Sequence, residues 1–232
     1  MQVKNTLSNK AGSKIAEFVC GSETVKLSPS IIRNYLVSGG GSVTDQEIVM
    51  FLNLCRYQHL NPFLRDAYLI KYGDNPASMV TSKDVLIKRA TRNKLYKGHK
   101  AGICVLDGGG NVENRVGTLK LEGEELVGGW AEVYMDGYDV PISTSVSFDE
   151  YVGKKSNGEV NGQWICKPAT MIRKVALVQA LREAFPEDLQ GMYSSEEMGV
   201  EDITDPVTVP DAGAPAEQPL QDNDENQDFF EQ

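Results

Sequence analysis

The run from Pro168 to Pro186 admits one structure, a long helix buried on most sides. Pro168 suits the first helical turn, where its missing N–H is not needed. Ala169 to Phe185 are good or acceptable helix formers, and Pro186 ends the run. At about 100° per residue, Met171, Ile172, Val175, Ala176, Leu177, Val178, Leu181 and Phe185 go almost all the way round, as in a core helix. Yet Lys167, Arg173, Lys174 and Arg182 stud it, with only Glu183 in answer. A cation on a buried helix needs a partner, and an anionic ligand can supply one.

Charge divides the chain in two. Residues 1–182 hold all 23 Lys and Arg against 18 acids, whereas residues 183–232 hold 15 acids and no cation, for a net charge of −10. A basic body followed by an acidic appendage fits a polyanion-binding domain; a solvated body with a solubilising tail is the plainer alternative. At 232 residues, 41% of them hydrophobic, the chain can build a full core. No run of eighteen apolar residues exists to span a membrane, and MQVKNTLSNK lacks a signal-peptide core, so the expected location is the cytoplasm. Cys20, Cys55, Cys104 and Cys166 show no metal-ligand spacing and read as small core residues.

Residues 1–27 read as a polar arm, weakly helical around Gly12–Cys20, that orders against a neighbouring subunit. Ser28-Pro29 caps a helix with Ile31, Ile32, Tyr35 and Leu36 on its apolar face. The glycine run 38–42 lacks the Gly-Lys-Ser/Thr ending of a phosphate loop and reads as a flexible connector. Thr44-Asp45-Gln46-Glu47 is a capping box for a second helix, which ends near His59-Leu60 because Pro62 forces Asn61 extended. A strand with Tyr68, Ile70 and Tyr72 on one side follows, then a turn and a return strand at Ser78–Val80.

The next segment is the most basic. Lys83, Lys88, Arg89, Arg92, Lys94, Lys97 and Lys100 fall within eighteen residues, with His99 among them and Asp84 as the only opposing charge. A helix over 82–92 buries Val85, Leu86 and Ala90 and leaves Lys88 and Arg92 one turn apart outside. Like charges so placed repel unless phosphates answer them. Phe63, Tyr68, Tyr72, Tyr96 and Trp164 lie near the basic clusters and are candidates to stack on unpaired bases, although most aromatics are simply core.

Strands over 102–106, 115–121, 126–135 and 138–147 make an antiparallel sheet, with Asp136-Gly137 as a hairpin signal. Ser147-Phe148-Asp149-Glu150 repeats the capping-box pattern, residues 153–162 form a loop, and residues 187–198 add a helical turn or two. From Gly199 onward prolines mix with acids and no apolar periodicity survives, so this tail is expected to be disordered. It closes on Asp222–Gln232, where Phe229-Phe230 follow acids in the manner of a docking peptide. This end resembles the acidic, Phe-containing tip of bacterial single-stranded DNA-binding proteins. No metal-ligand cluster or catalytic set is visible, and no cofactor is expected; a dependence on Mg²⁺ is not indicated.

Leu60-Asn61-Pro62-Phe63, then Ala67-Tyr68, Val80 to Arg89, and Trp164 through Phe185 occur in an order that resembles the RecT/Red-beta (Bet) phage single-strand annealing proteins. Pro168, Met171-Ile172-Arg173-Lys174, Gln179, Arg182, Ala184 and Phe185 carry the strongest match. The resemblance covers residues 25–198. It implies an α+β fold, a small antiparallel sheet packed with helices that include the long C-terminal one. It also implies rings or helical filaments of many copies, and annealing of complementary single strands without ATP beside a 5′→3′ exonuclease or a host single-stranded DNA-binding protein. The divisions that follow are an arm at 1–27, an annealing and oligomerisation domain at 28–198, and an acidic tail at 199–232. Carried over by position, Lys167, Arg173, Lys174 and Arg182 are the first candidates for the DNA backbone, followed by Lys83, Lys88 and Arg89; the basic cluster itself adds Arg92, and Tyr68 and Trp164 are the candidates for bases. Red-beta has a folded C-terminal domain for partners, so here docking falls to Phe229 and Phe230. Two other classes stay open: a metal-dependent nuclease using carboxylates such as Asp66, Asp84 and Glu132, and a non-enzymatic interaction protein whose basic body holds its own acidic tail and never meets DNA.

Overall fold

The long helix forms as expected: α6 spans Pro168–Ala184 in a computed structural model that describes residues 15–155 and 157–200. Its buried residues, from Met171 through Ala184, surround the axis because it is covered on both sides. One side meets a four-stranded antiparallel sheet in the order β7 (Val112–Val116), β6 (Tyr96–Leu106), β8 (Glu125–Met135) and β9 (Ile142–Ser147). The other meets α3 (Lys83–Arg92) and the segment after Pro186, whose Leu189 and Met192 join the core.

Helix and sheet approach closely at Gly129 of β8. A methyl group there would lie 2.6 Å from the carbonyl oxygen of Ile172, inside contact distance. Gly129→Ala must push α6 away and is expected to cost about 1–3 kcal/mol, read as a lowered urea midpoint. An unchanged midpoint would mean that the helix rides further from the sheet than described.

The N-terminal half builds around two smaller sheets. α1 (Pro29–Tyr35) takes its N-cap bond from Ser28, and α2 (Asp45–Tyr57) has both arms of the Thr44–Glu47 capping box. A two-residue strand, β3 (Val37–Ser38), pairs in parallel with β4 (Ala67–Ile70), which pairs antiparallel with β5 (Ser78–Thr81).

Several expectations are corrected. Residues 16–27 are a hairpin, β1 (Ala16–Cys20) and β2 (Glu23–Leu27), with no helix at Cys20. Alternate residues Phe18, Val25 and Leu27 enter the core, a period of two that overrides weak helical propensity. Residues 1–14 lie outside the described residues. The glycine run is pinned, not a flexible connector: Gly41 donates its N–H to the Lys71 carbonyl at 2.9 Å. Gly39, at φ 93°, passes so near that carbonyl that a side chain has no room. The strand expected over 115–121 falls at 112–116, and the last strand starts only at Ile142. Ser147 makes no capping bond to the short α4 (Phe148–Tyr151). The loop before α6 ends in a further short helix, α5 (Gly162–Cys166), and residues 187–198 are turns without a helix. Of the acidic tail, residues 201–232 with Phe229 and Phe230 are outside the described residues.

Candidate nucleic-acid interface

α3 begins at Ser82, whose hydroxyl accepts from the Val85 N–H, and it turns Val85, Leu86 and Ala90 into the core. That burial fixes the helix's rotation and leaves its cations outside. They form one wall of a cleft of about 760 Å³, lined by Lys88, Arg89, Arg92 and, just beyond α3, Lys94. The lining also takes in the β1–β2 turn, Cys20 to Glu23, and His59, Asn61 and Leu64. The backbone there is held in costly conformations: His59 has φ 44° and Arg65 φ 59°. Bonds fix it, since His59 Nδ1 lies 2.8 Å from the Val19 carbonyl and the Cys20 thiol donates to the His59 carbonyl at 2.8 Å.

Three carboxylates, Glu23, Asp66 and Asp188, line the cleft beside its four cations, and Asp188 accepts from the Asn93 amide at 2.8 Å. Asp66 accepts the Asn61 N–H at 3.0 Å, and Glu23 accepts from the Asn61 amide at 3.3 Å. Lys88 lies 3.7 Å from Asp66 with its side chain 58% exposed. Arg89 is deeper, donating to Gln58 Oε1 at 2.6 Å and the Asp188 carbonyl at 2.9 Å. Burial pulls the Arg89 pKa down, with Asp188 and Asp66 opposing. Arg92 and Lys94 are exposed and form no ion pair with a described residue.

A second basic group lies where α3, β6 and α6 meet. Arg173 donates from Nε to the Ala101 carbonyl at 3.2 Å. His99, bonded to the Tyr96 hydroxyl at 2.6 Å, has its pKa lowered by burial and then by Arg173 and Lys83. Lys83 is 3.4 Å from Asp84.

Lys174 and Arg182 have found partners within the chain. Lys174 pairs with Glu196 at 3.0 Å. Arg182 grips Glu197 through both terminal nitrogens, donates to the Met192 carbonyl at 3.2 Å and stacks 4.5 Å from the Tyr193 ring centre. Burial opposes the Arg182 charge, but Glu197 outweighs it and raises the pKa. Sequence reasoning missed Glu196 and Glu197, and the charge surplus after Pro186 was the only sign of them. Lys167 is exposed at the other end of α6. The helix thus sends Arg173 towards the sheet, and Lys174 and Arg182 towards the chain's own C-terminal segment.

Both aromatics chosen for bases are buried. Tyr68 is 9% exposed, packed with Ile70 and Val80, with the Arg65 guanidinium 5.0 Å from its ring centre. Trp164 is 2% exposed and packs edge-on against Phe148 at 5.7 Å. Both rings fill core space, which is the commoner use of a large apolar side chain. Phe63, beside the cleft, is exposed. Of the carboxylates suggested for a nuclease, Asp66 and Asp84 share a smaller cleft of about 250 Å³, whereas Glu132 is on β8, bonded to the Tyr134 hydroxyl. Among the described residues no three His, Cys, Asp or Glu side chains converge as a metal site, and no helix is long and apolar enough to cross a membrane.

No curated protein matches the chain. The model of the RecT family matches residues 23–209, from the start of β2 past α6 and across the cations of both basic groups. Proteins of that family anneal single strands in DNA recombination. With more than half its length matched, the chain belongs to the RecT family.

Proposed function

We propose that this chain is an ATP-independent single-strand annealing protein of phage recombination, not an enzyme, acting as rings or filaments of many copies in the cytoplasm of a bacterial host. The observation that carries the assignment of the site is the cleft of α3, where Arg92 and Lys94 stand exposed and in no ion pair with a described residue. A phosphate backbone laid along Lys88, Arg89, Arg92 and Lys94 gains charge neutralisation and releases counterions. Arg173 and Lys83 extend the track towards α6, and Lys167 is a further cation at that helix's start. A second strand then samples register, and sequence specificity comes from base pairing, with no base-reading side chain required. A 5′→3′ exonuclease or a host single-stranded DNA-binding protein would supply and bind the same strands, and the annealed duplex is the product.

Full-length protein mixed with complementary oligonucleotides in the absence of ATP should yield duplex, with assemblies visible by electron microscopy. Lys88→Gln with Arg92→Gln should weaken single-strand binding alike for all sequences and lower the salt slope by about 1.4, roughly 0.7 for each phosphate left without its cation. Lys154→Gln with Lys155→Gln, outside the cleft, is the comparison. Equal weakening by the two pairs would overturn the placement of the strand, and degradation of labelled strands in Mg²⁺ would overturn the function.

A further inference from the structure

We propose that the acidic end of this same chain, Asp222 to Glu231, docks in the cleft of α3 and competes there with DNA, an inference that rests on the DNA-binding reading of that cleft. Charge is the first argument. The cleft is lined by four cations, Lys88, Arg89, Arg92 and Lys94, against three carboxylates, Glu23, Asp66 and Asp188, and Arg92 and Lys94 are in no ion pair with a described residue, while residues 201–232 carry ten Asp and Glu and no Lys or Arg. Position is the second. The last described residue, Val200, packs on Tyr68, Ile70 and Val80. Tyr68 lines the smaller cleft, which shares Leu64, Asp66 and Lys88 with the larger one. Val200 therefore lies beside the smaller cleft, which borders the basic one. From Val200 to Asp222 the extended chain spans up to about 70 Å, ample for a neighbouring site. Shape is the third. Leu64, in the lining, and Phe63, next to it in the chain, are 65% and 54% exposed, an apolar step beside cations that suits Phe229-Phe230 behind a row of acids.

Tethering makes even a weak contact count. At an effective concentration of about 1 mM, a segment with an intrinsic Kd of about 100 µM lowers apparent DNA affinity roughly tenfold. DNA lined by many copies displaces the segments together, so a filament would present a row of released acidic ends.

The experiment uses the full chain. Asp222→Asn, Asp224→Asn, Glu225→Gln and Asp228→Asn together should tighten single-strand binding roughly tenfold at low salt, with the gain shrinking at high salt. Phe229→Ala with Phe230→Ala, charge retained, should give a smaller gain. Adding Arg92→Gln and Lys94→Gln should erase the difference made by the tail. A fluorescein-labelled peptide of residues 219–232 should bind the tail-neutralised protein saturably by anisotropy, and not its Arg92→Gln, Lys94→Gln derivative. Equal binding by a scrambled peptide would mean general electrostatics only and overturns the docking, as does unchanged DNA affinity without the four acids. A tail effect that grows with protein concentration assigns the segment to a neighbouring copy and overturns the same-chain placement. Peptide uptake by a protein that ignores oligonucleotides sinks the DNA reading and leaves the docking standing.

Discussion

Replacing Glu47 with leucine is expected to cost about 3–5 kcal/mol, because it strands a buried ammonium group. The Lys71 side chain is 6% exposed, and its Nζ donates to both Glu47 oxygens at 2.9 and 2.8 Å. Glu47 also accepts the Thr44 N–H and the Ala77 N–H, each at 2.7 Å. One carboxylate thus ties the start of α2 to β4 and to the approach to β5, and through Lys71 to the glycine run. At roughly 2–4 °C per kcal/mol for a chain of this size, Tm should fall by about 6–20 °C. Lys71→Met alone should cost less, since Glu47 keeps its two backbone donors and some contact with water. Adding Lys71→Met to Glu47→Leu should recover much of the loss by removing the unpaired charge. The Lys71 ammonium first, and then the Thr44 and Ala77 N–H groups, hold the Glu47 pKa at about 2, below its ordinary 4.5. A carboxylate depressed on folding stabilises fully above its unfolded pKa, so this contribution is present above about pH 4.5 and is lost as pH falls towards 2. Unfolding midpoints between pH 5 and pH 2 should therefore be flatter in Glu47→Leu than in the parent. A parallel decline would show that the pair is not what stabilises this region.

What was legible in the sequence was local. Pro168 and Pro186 bracket α6, Ser28, Thr44 and Ser82 cap their helices, and the apolar spacing of α3 gives its buried face. Each of these is decided within four residues, where propensity and capping act. What stayed hidden is long-range. Arg89 meets the carbonyl of Asp188 across 99 positions, and Gln58 meets that of Gln190 across 132. Strand β3 is two residues long and pairs in parallel, too short for any period to show. The cleft itself unites a hairpin turn, a left-handed loop and a helix wall, so the run of basic residues revealed its cationic side but not its shape. The same limit explains Tyr68 and Trp164: proximity to cations in sequence says nothing about which side of the ring the core takes.

Arg182 brings stability and DNA binding into direct competition as explanations. Arg182→Ala removes both bonds to Glu197, the bond to the Met192 carbonyl and the stacking on Tyr193, and it leaves a carboxylate whose side chain is 5% exposed. The Ser194 N–H, at 3.0 Å, is then the remaining described donor to Glu197. The expected cost is about 3–5 kcal/mol, concentrated in the segment that follows Pro186. Limited proteolysis should cut first between residues 187 and 200, where Leu189 and Met192 come away from α6. Removing Glu197 as well, by Arg182→Ala with Glu197→Ala, should return part of the stability, because the stranded charge goes too. DNA affinity measured well below the unfolding midpoint then separates the two roles. If the pair is a brace, the double variant binds single strands like the parent although each single change weakens the fold. If Arg182 itself meets a phosphate, affinity stays low in the double variant however much stability returns. The bidentate grip on Glu197 favours the brace, because a guanidinium already neutralised and mostly shielded has little charge left to offer a passing backbone.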